Sequence, residues 1–253
     1  MSTENTPDLV VQVDQGIMTI TLNRPHVRNA LSPPVTDGLR SAFVEMDERD
    51  DVRVGVLTGA GGYFSAGMDL AAFADGSGFS TDLLRDGRPI KPLIAAIEGF
   101  AFAGGLELAL ACDLIVCSSA AIMGIPEVKR GLFAPAGALL RLPKRIPFHV
   151  AMQMALTGDP ITASRAYELG LVNVISEPGA ALDEAIALAA RILVNAPLGV
   201  QVSKELIGLA VDHPEETGWR RTEERLSYVF DSADAIEGPR AFLEKRAAKW
   251  IGA

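Results

Sequence analysis

From Leu93 to Cys117 the chain reads LIAAIEGFAFAGGLELALACDLIVC, an apolar run interrupted only by Glu98, Glu107 and Asp113. A run of this kind has to leave water, either in a bilayer or in a protein interior. A carboxylate at the centre of a membrane span would cost roughly 2.5–3.5 kcal/mol, so the run reads as a buried protein segment. Its glycines divide it. Leu93–Ile97 is a strand running into Gly99 and the Gly104-Gly105 pair, a helix begins near Gly104, and Leu114–Cys117 is a second strand.

Strands that lead into glycine turns and helices predict an α/β core. Leu9–Val13 and Ile17–Leu22, separated by Asp14, Gln15 and Gly16, read as a hairpin. Ser32 followed by Pro33 marks a helix start, and Val35, Leu39, Ala42, Phe43 and Met46 then recur at helical spacing. Val52–Leu57 and Leu171–Ile175 are further strands. Thr162 is expected to cap a short helix that Gly170 closes, and Pro143 to Pro160 is mostly helical. The last third loses its strand signal, with helices expected from Leu182 to Leu193, over Thr217–Phe230 and over Pro239–Lys249. The expected organisation is an α/β body over residues 1–176 and a helical region over 177–253. The loop from Asp75 to Pro92 has little apolar periodicity, and its composition favours a surface connection over a mobile lid.

Charge and cysteine content narrow the function. With 23 Lys+Arg against 32 Asp+Glu, the 253-residue chain carries a net charge of −9. That balance argues against a general nucleic-acid binder, which needs basic residues to displace counterions. Cys112 and Cys117 lie inside the apolar run and read as buried thiols, and MSTENTPDLV lacks the features of a signal peptide; a cytoplasmic protein is expected. The dinucleotide, P-loop, serine-hydrolase and zinc-protease motifs are absent. His26, His149 and His213 are far apart in sequence and read as ordinary surface or loop residues.

Glu107 is the only charged side chain between Phe100 and Cys112. It reads either as a carboxylate settled near a helix N-terminus or as a catalytic acid or base. Glu127, in Gly124-Ile125-Pro126-Glu127, is either a solvated helix-start residue or a partner to Glu107, because the intervening chain is long enough to return. Two carboxylates in one apolar pocket would split their proton affinities into a donor and an acceptor. Gly67, in Phe64-Ser65-Ala66-Gly67-Met68-Asp69, and Gly104 are either plain tight turns or places where backbone N–H groups converge on an oxygen that becomes negative.

YFSAGMDL, IEGFAFAGGLELALACDLIV and MGIPEVKRGL, in this order and spacing, resemble the enoyl-CoA hydratase/isomerase (crotonase) family. The resemblance continues through NRPHVRNAL, RLPKRIP, LTGDPITASRAYELGLVN and DAIEGPRAFLEKR. It implies a ClpP-like spiral of β-β-α units and a C-terminal all-helical region that builds homotrimers, commonly paired into hexamers. It also implies an acyl-CoA thioester whose carbonyl oxygen is held by the N–H groups of Met68 and Gly104. By this resemblance Glu107 activates water for attack at the β-carbon and Glu127 delivers the α-carbon proton, with no metal or redox cofactor. Substrate contacts are expected at Ala66, Gly67, Asp69 and Leu70, with Arg24, Arg28 and a neighbouring subunit's Phe242 and Lys245 near the CoA nucleotide. Phe79, Leu83 and Leu84 are candidate acyl-pocket residues.

The chain departs from the family's hydratase pattern at Phe133-Ala134-Pro135-Ala136-Gly137-Ala138, where glycine-richer loops are common. Pro135 stands where dienoyl-CoA isomerases carry an additional Asp, which lowers that activity in rank. Hydration of a 2-enoyl-CoA is the leading expectation. A 3-enoyl-CoA isomerase using Glu127 alone, or a non-catalytic acyl-CoA-binding protein, are the alternatives. No nucleic-acid or membrane partner is expected.

Overall fold

The computed structural model describes residues 7–75 and 80–253. Strands β1 (Leu9–Asp14) and β2 (Ile17–Leu22) form the antiparallel hairpin, and helix α1 (Pro33–Glu48) follows from Ser32, burying the five expected apolar residues. Then come β3 (Val54–Gly59), α2 (Leu70–Ala74), α3 (Asp82–Asp86), β4 (Leu93–Ile97), β5 (Phe100–Phe102), α4 (Gly104–Ala111), β6 (Leu114–Ser118) and β7 (Ile122–Gly124). A 3-10 turn over Pro126–Arg130 leads to α5 (Ala138–Arg145), α6 (Phe148–Thr157), β8 (Ile161–Thr162), α7 (Ala163–Glu168) and β9 (Val174–Ser176). Helices α8 (Ala181–Leu193), α9 (Pro197–Asp212), α10 (Glu215–Phe230) and α11 (Ala233–Leu243) complete the described chain.

Among the described residues, one sheet has the order β1-β2-β3-β4-β6-β9, parallel from β2 onward, and a smaller one has the order β5-β7-β8. The units β1-β2-α1, β4-β5-α4 and β6-β7-α5 repeat a strand-strand-helix step, giving the α/β spiral with its helical C-terminal part. Parallel strands covered on both faces need apolar residues at every position. Met18, Ile20, Leu57, Ala95, Ile97 and Ile115 accordingly enter the main core, while Ile17, Val54, Val56, Ile94, Ala96 and Val116 enter a second core closed by Ala185 and Ala189 of α8. The apolar run is thus divided among β4, β5, α4 and β6. No single helix among the described residues is long and apolar enough to cross a membrane.

Several expectations shift. The strand expected over Leu171–Ile175 is Val174–Ser176, because the Leu171 N–H closes α7 by donating to the Ala166 carbonyl at 2.9 Å and is unavailable to a ladder. Val52 precedes β3 instead of starting it. The last helix starts at Ser232, whose Oγ accepts the Ala235 N–H at 3.1 Å, so Pro239 lies inside α11, and the helix ends at Leu243, before Lys249. Helix α9 is additional, its helical signal diluted by Gly199, Gly208 and three valines. The described part of the Asp75–Pro92 segment is anchored by α3, with Leu83 and Leu84 in the main core, so that part is more than a surface connection. Phe79, Gly76 and Gly78 lie outside the described residues.

Candidate active site

The chain passes from the large sheet to the small one between Ile97 and Gly104, and the site is built at that crossing. Ala103, which precedes α4, has φ 52° and ψ −127°, a conformation costly for any residue with a Cβ. Its N–H donates to the Gly124 carbonyl at 2.9 Å, tying the bend to β7. The bend sets the Gly104 N–H at the free N-terminus of α4.

The second turn approaches from the other side. Gly67 has φ +92°, and a Cβ there would lie 2.7 Å from the Ala103 Cβ and 2.8 Å from the Gly104 nitrogen. Only glycine permits both the conformation and the approach. A Cβ built on Gly104 would in turn lie 3.4 Å from the Met68 nitrogen, so the Met68 and Gly104 N–H groups are neighbours. Among the described residues neither donates to a protein acceptor. Two unspent backbone donors side by side suit an oxygen that gains negative charge.

Buried polar residues hold this turn. Ser65 Oγ donates to the Asn29 carbonyl at 2.8 Å and accepts the Gly67 N–H at 3.1 Å. Asn29 donates through Nδ2 to the Ala60 and Tyr63 carbonyls and accepts the Arg24 N–H. Ala66 donates to the Arg28 carbonyl at 3.0 Å. Asp69 caps α2 through the Ala71 and Ala72 N–H groups and pairs with Arg24 at 3.0 Å, which holds its carboxyl below the usual range. Arg24 is therefore committed to Asp69, Asp8 and the Ala30 carbonyl, whereas Arg28 is exposed. Leu70 is half exposed, and Phe242 and Lys245 are exposed at the end of α11.

Glu107, in the first turn of α4, is 1% exposed. Its Oε1 accepts the Ala136 N–H at 2.6 Å and the Ala138 N–H at 3.1 Å. The loop that departs from the glycine-rich pattern thus forms the Glu107 cradle, and Gly137, at φ +115°, lets both flanking N–H groups point the same way. Burial pushes the Glu107 carboxyl up to about 7, aided by the Glu127 charge and opposed by the two N–H donors and Arg141. Glu127 Oε2 is buried without a hydrogen-bond partner, and burial raises its pKa as well. The structure brings the two carboxylates into one electrostatic neighbourhood, and it leaves His26, His149 and His213 exposed. Cys112 and Cys117 are free and buried, and burial raises both thiols, Cys117 to about 12. Among the described residues no three His, Cys, Asp or Glu side chains gather as a metal site.

The sequence model of the enoyl-CoA hydratase/isomerase family matches residues 12–253. The chain belongs to this family. It is 42% identical to the enoyl-CoA hydratase EchA19 of Mycobacterium tuberculosis, covering 96% of each chain. It is 39% identical to a carnitinyl-CoA dehydratase of Salmonella arizonae, over 93% of this chain and 95% of that one. A crystal structure of an enoyl-CoA hydratase from Mycobacterium tuberculosis superposes with a TM-score of 0.94 at 49% identity, covering 98% of this chain and 100% of that one.

Family motifs expose the glutamates and glycine turns. They do not single out the strained Ala103, the Asn29 and Ser65 brace, the Ala136 and Ala138 donors, or Arg141. For Arg141 one signal was available: it is the only charged side chain between Leu132 and Leu142.

Proposed function

We propose that the protein is an enoyl-CoA hydratase that reversibly adds water to a 2-enoyl-CoA thioester, giving a 3-hydroxyacyl-CoA. The observation that carries this reading is the pairing of a buried, cradled Glu107 with a half-buried Glu127 whose Oε2 has no partner, in a fold that also leaves the neighbouring Met68 and Gly104 N–H groups open. The thioester oxygen accepts both N–H groups, and this pull lowers electron density at the β-carbon. Glu107, pinned through Oε1 as an acceptor, takes a proton from water as the hydroxyl bonds to the β-carbon. The C=C electron pair shifts into a thioester enolate held by the two donors. Glu127 then gives its proton to the α-carbon, and proton exchange resets the pair. Reversal of these steps is dehydration, the direction for which the Salmonella relative is named.

Hydrogen bonding supports the proton assignment. Donors to a carboxylate favour its charged form, and a buried oxygen without one favours the neutral acid. The family resemblance makes Glu107 the base and Glu127 the acid; the two donors support the Glu107 carboxylate against the burial that raises it, and the pair titrates as a unit. The CoA end is assigned to backbone near Ala66 and to Arg28, with Phe242 and Lys245 from a neighbouring subunit. Residues 177–253 are assigned as an oligomerisation region. Phe230, Ile236, Phe242 and Leu243 are 71–80% exposed in the single chain, a large apolar area for water to cover. A homotrimer has three times the chain mass by light scattering, and a monomer at micromolar concentration overturns that assignment.

The test is the loss of conjugated-thioester absorbance when the protein meets enoyl-CoA esters with short, long, branched and carnitine-type acyl groups. Glu107→Gln and Glu127→Gln are each expected to lower kcat by about 10²–10⁴-fold. Full activity in either variant rejects the mechanism. Binding of every ester without turnover favours an acyl-CoA carrier, and conversion of 3-enoyl-CoA alone favours an isomerase.

A further inference from the structure

Arg141 is the fourth residue of α5, directly behind the Glu107 cradle. Its Nη1 donates to the Ala136 carbonyl at 3.2 Å, while Nη2 donates to the Leu84 carbonyl in α3. Ala136 thus gives its N–H to Glu107 and its carbonyl to Arg141. A Cβ on Gly137 would lie 2.5 Å from Nη1, so the guanidinium packs close against the cradle backbone. Leu84 in turn is anchored in the main core. One side chain therefore joins the segment after residue 80 to the loop that orients the base.

The charge on this side chain is not explained by the clamp alone. Among the described residues Arg141 makes no ion pair, and two carbonyls could be satisfied by a neutral donor without burying a cation. The charged groups facing it are Glu107 and Asp212, which favour the cation, and Arg88 and Arg145, which oppose it. Glu107 faces Glu127 and Arg141 among charged groups and the Ala136 and Ala138 N–H groups among dipoles.

We propose that Arg141 is a positioning residue: it clamps the Ala136–Ala138 cradle to Leu84 and supplies the positive charge that keeps Glu107 available as a base. The proposal rests on the hydratase reading and extends it to a residue that acts through the Glu107 cradle. Removing the charge withdraws support from the carboxylate. Replacing the fork by an ammonium keeps charge but leaves one point donor where two separated carbonyls need a planar pair.

The test compares Arg141→Gln and Arg141→Lys with wild type in the full-length protein, using three readouts. Arg141→Gln is expected to lower kcat about 10–100-fold, as a misplaced catalytic group does. It should also move the acid limb of kcat/KM to higher pH. Isotope-edited infrared titration of the substrate-free protein, with the Glu107 band assigned by its loss in Glu107→Gln, should show the same upward shift. Arg141→Lys should restore the titration but not kcat, and amide exchange at Ala136 and Ala138 should accelerate in both variants. Recovery of kcat by lysine, or an unshifted Glu107 titration in Arg141→Gln, overturns the proposal. If Arg141→Gln does not fold, failure of Arg141→Lys to speed amide exchange or lower kcat overturns it. If wild type hydrates no ester, the hydratase reading fails, and infrared titration with amide exchange still decides the link between Arg141 and Glu107.

Discussion

Glu107 shows how one buried side chain sets a measurable property of the molecule. Its carboxyl rises from 4.5 to about 7 because burial outweighs the Ala136 and Ala138 donors. Between those values the folded state holds a proton that the unfolded chain has released, so stability falls as pH rises through the window. Glu107→Gln keeps an oxygen to accept both N–H groups and has no charge to bury. By urea unfolding it should exceed wild type by roughly 3 kcal/mol at pH 8, with the gap closing toward pH 4.5. Equal stabilities at pH 8 would show that the carboxylate is solvated. The apolar surroundings of Glu107 were legible, because a lone charge in a buried run is visible in one dimension. Its cradle was not, since backbone donors carry no residue signature.

At the scale of elements, α4 depends on the conformation that precedes it. Ala103 occupies φ 52° with a Cβ present, which glycine would adopt without strain. Ala103→Gly should stabilise the fold by about 1 kcal/mol, relief of strain exceeding the added chain entropy. The same change loosens the Gly104 donor, so kcat should fall while the melting temperature rises. A lower melting temperature would show that Ala103 is unstrained. Strands β4 and β6 were readable because double-sided burial writes nearly unbroken apolar runs, and β2 because its β-rich run follows a turn at Asp14, Gln15 and Gly16. The three short strands β5, β7 and β8 were not expected, since two or three residues carry no period. Helix α11 was displaced because Pro239 resembles a helix start, whereas the Ser232 cap and the contacts of the tail decide where it begins.

In the whole molecule, α9 is tied to the α/β body through Lys204. Its Nζ lies 2.7 Å from Asp113 and donates to the Pro89 and Lys91 carbonyls, while Asp113 accepts the Leu93 N–H at 2.8 Å. Lys204→Ala leaves this half-buried carboxylate and two carbonyls without their cation, and should cost about 2 kcal/mol in denaturant unfolding. Amide exchange along α9 should quicken at the same time. No loss of stability would show that the helix is held by apolar packing with α10 alone.

The sequence alone determined which segments must be buried, where most of the main strands lie along the chain, and that Glu107 stands out, because periodicity and isolated charge survive in a linear string; the motif resemblance supplied Glu127 as its candidate partner. Tertiary structure decided what surrounds them: which backbone N–H groups remain unspent, which carbonyls Arg141 spans, and that Arg24 is consumed by Asp69. These depend on chain segments distant in sequence meeting within a few ångströms. Hydrogen bonds and desolvation act only at that range, so no local pattern encodes them.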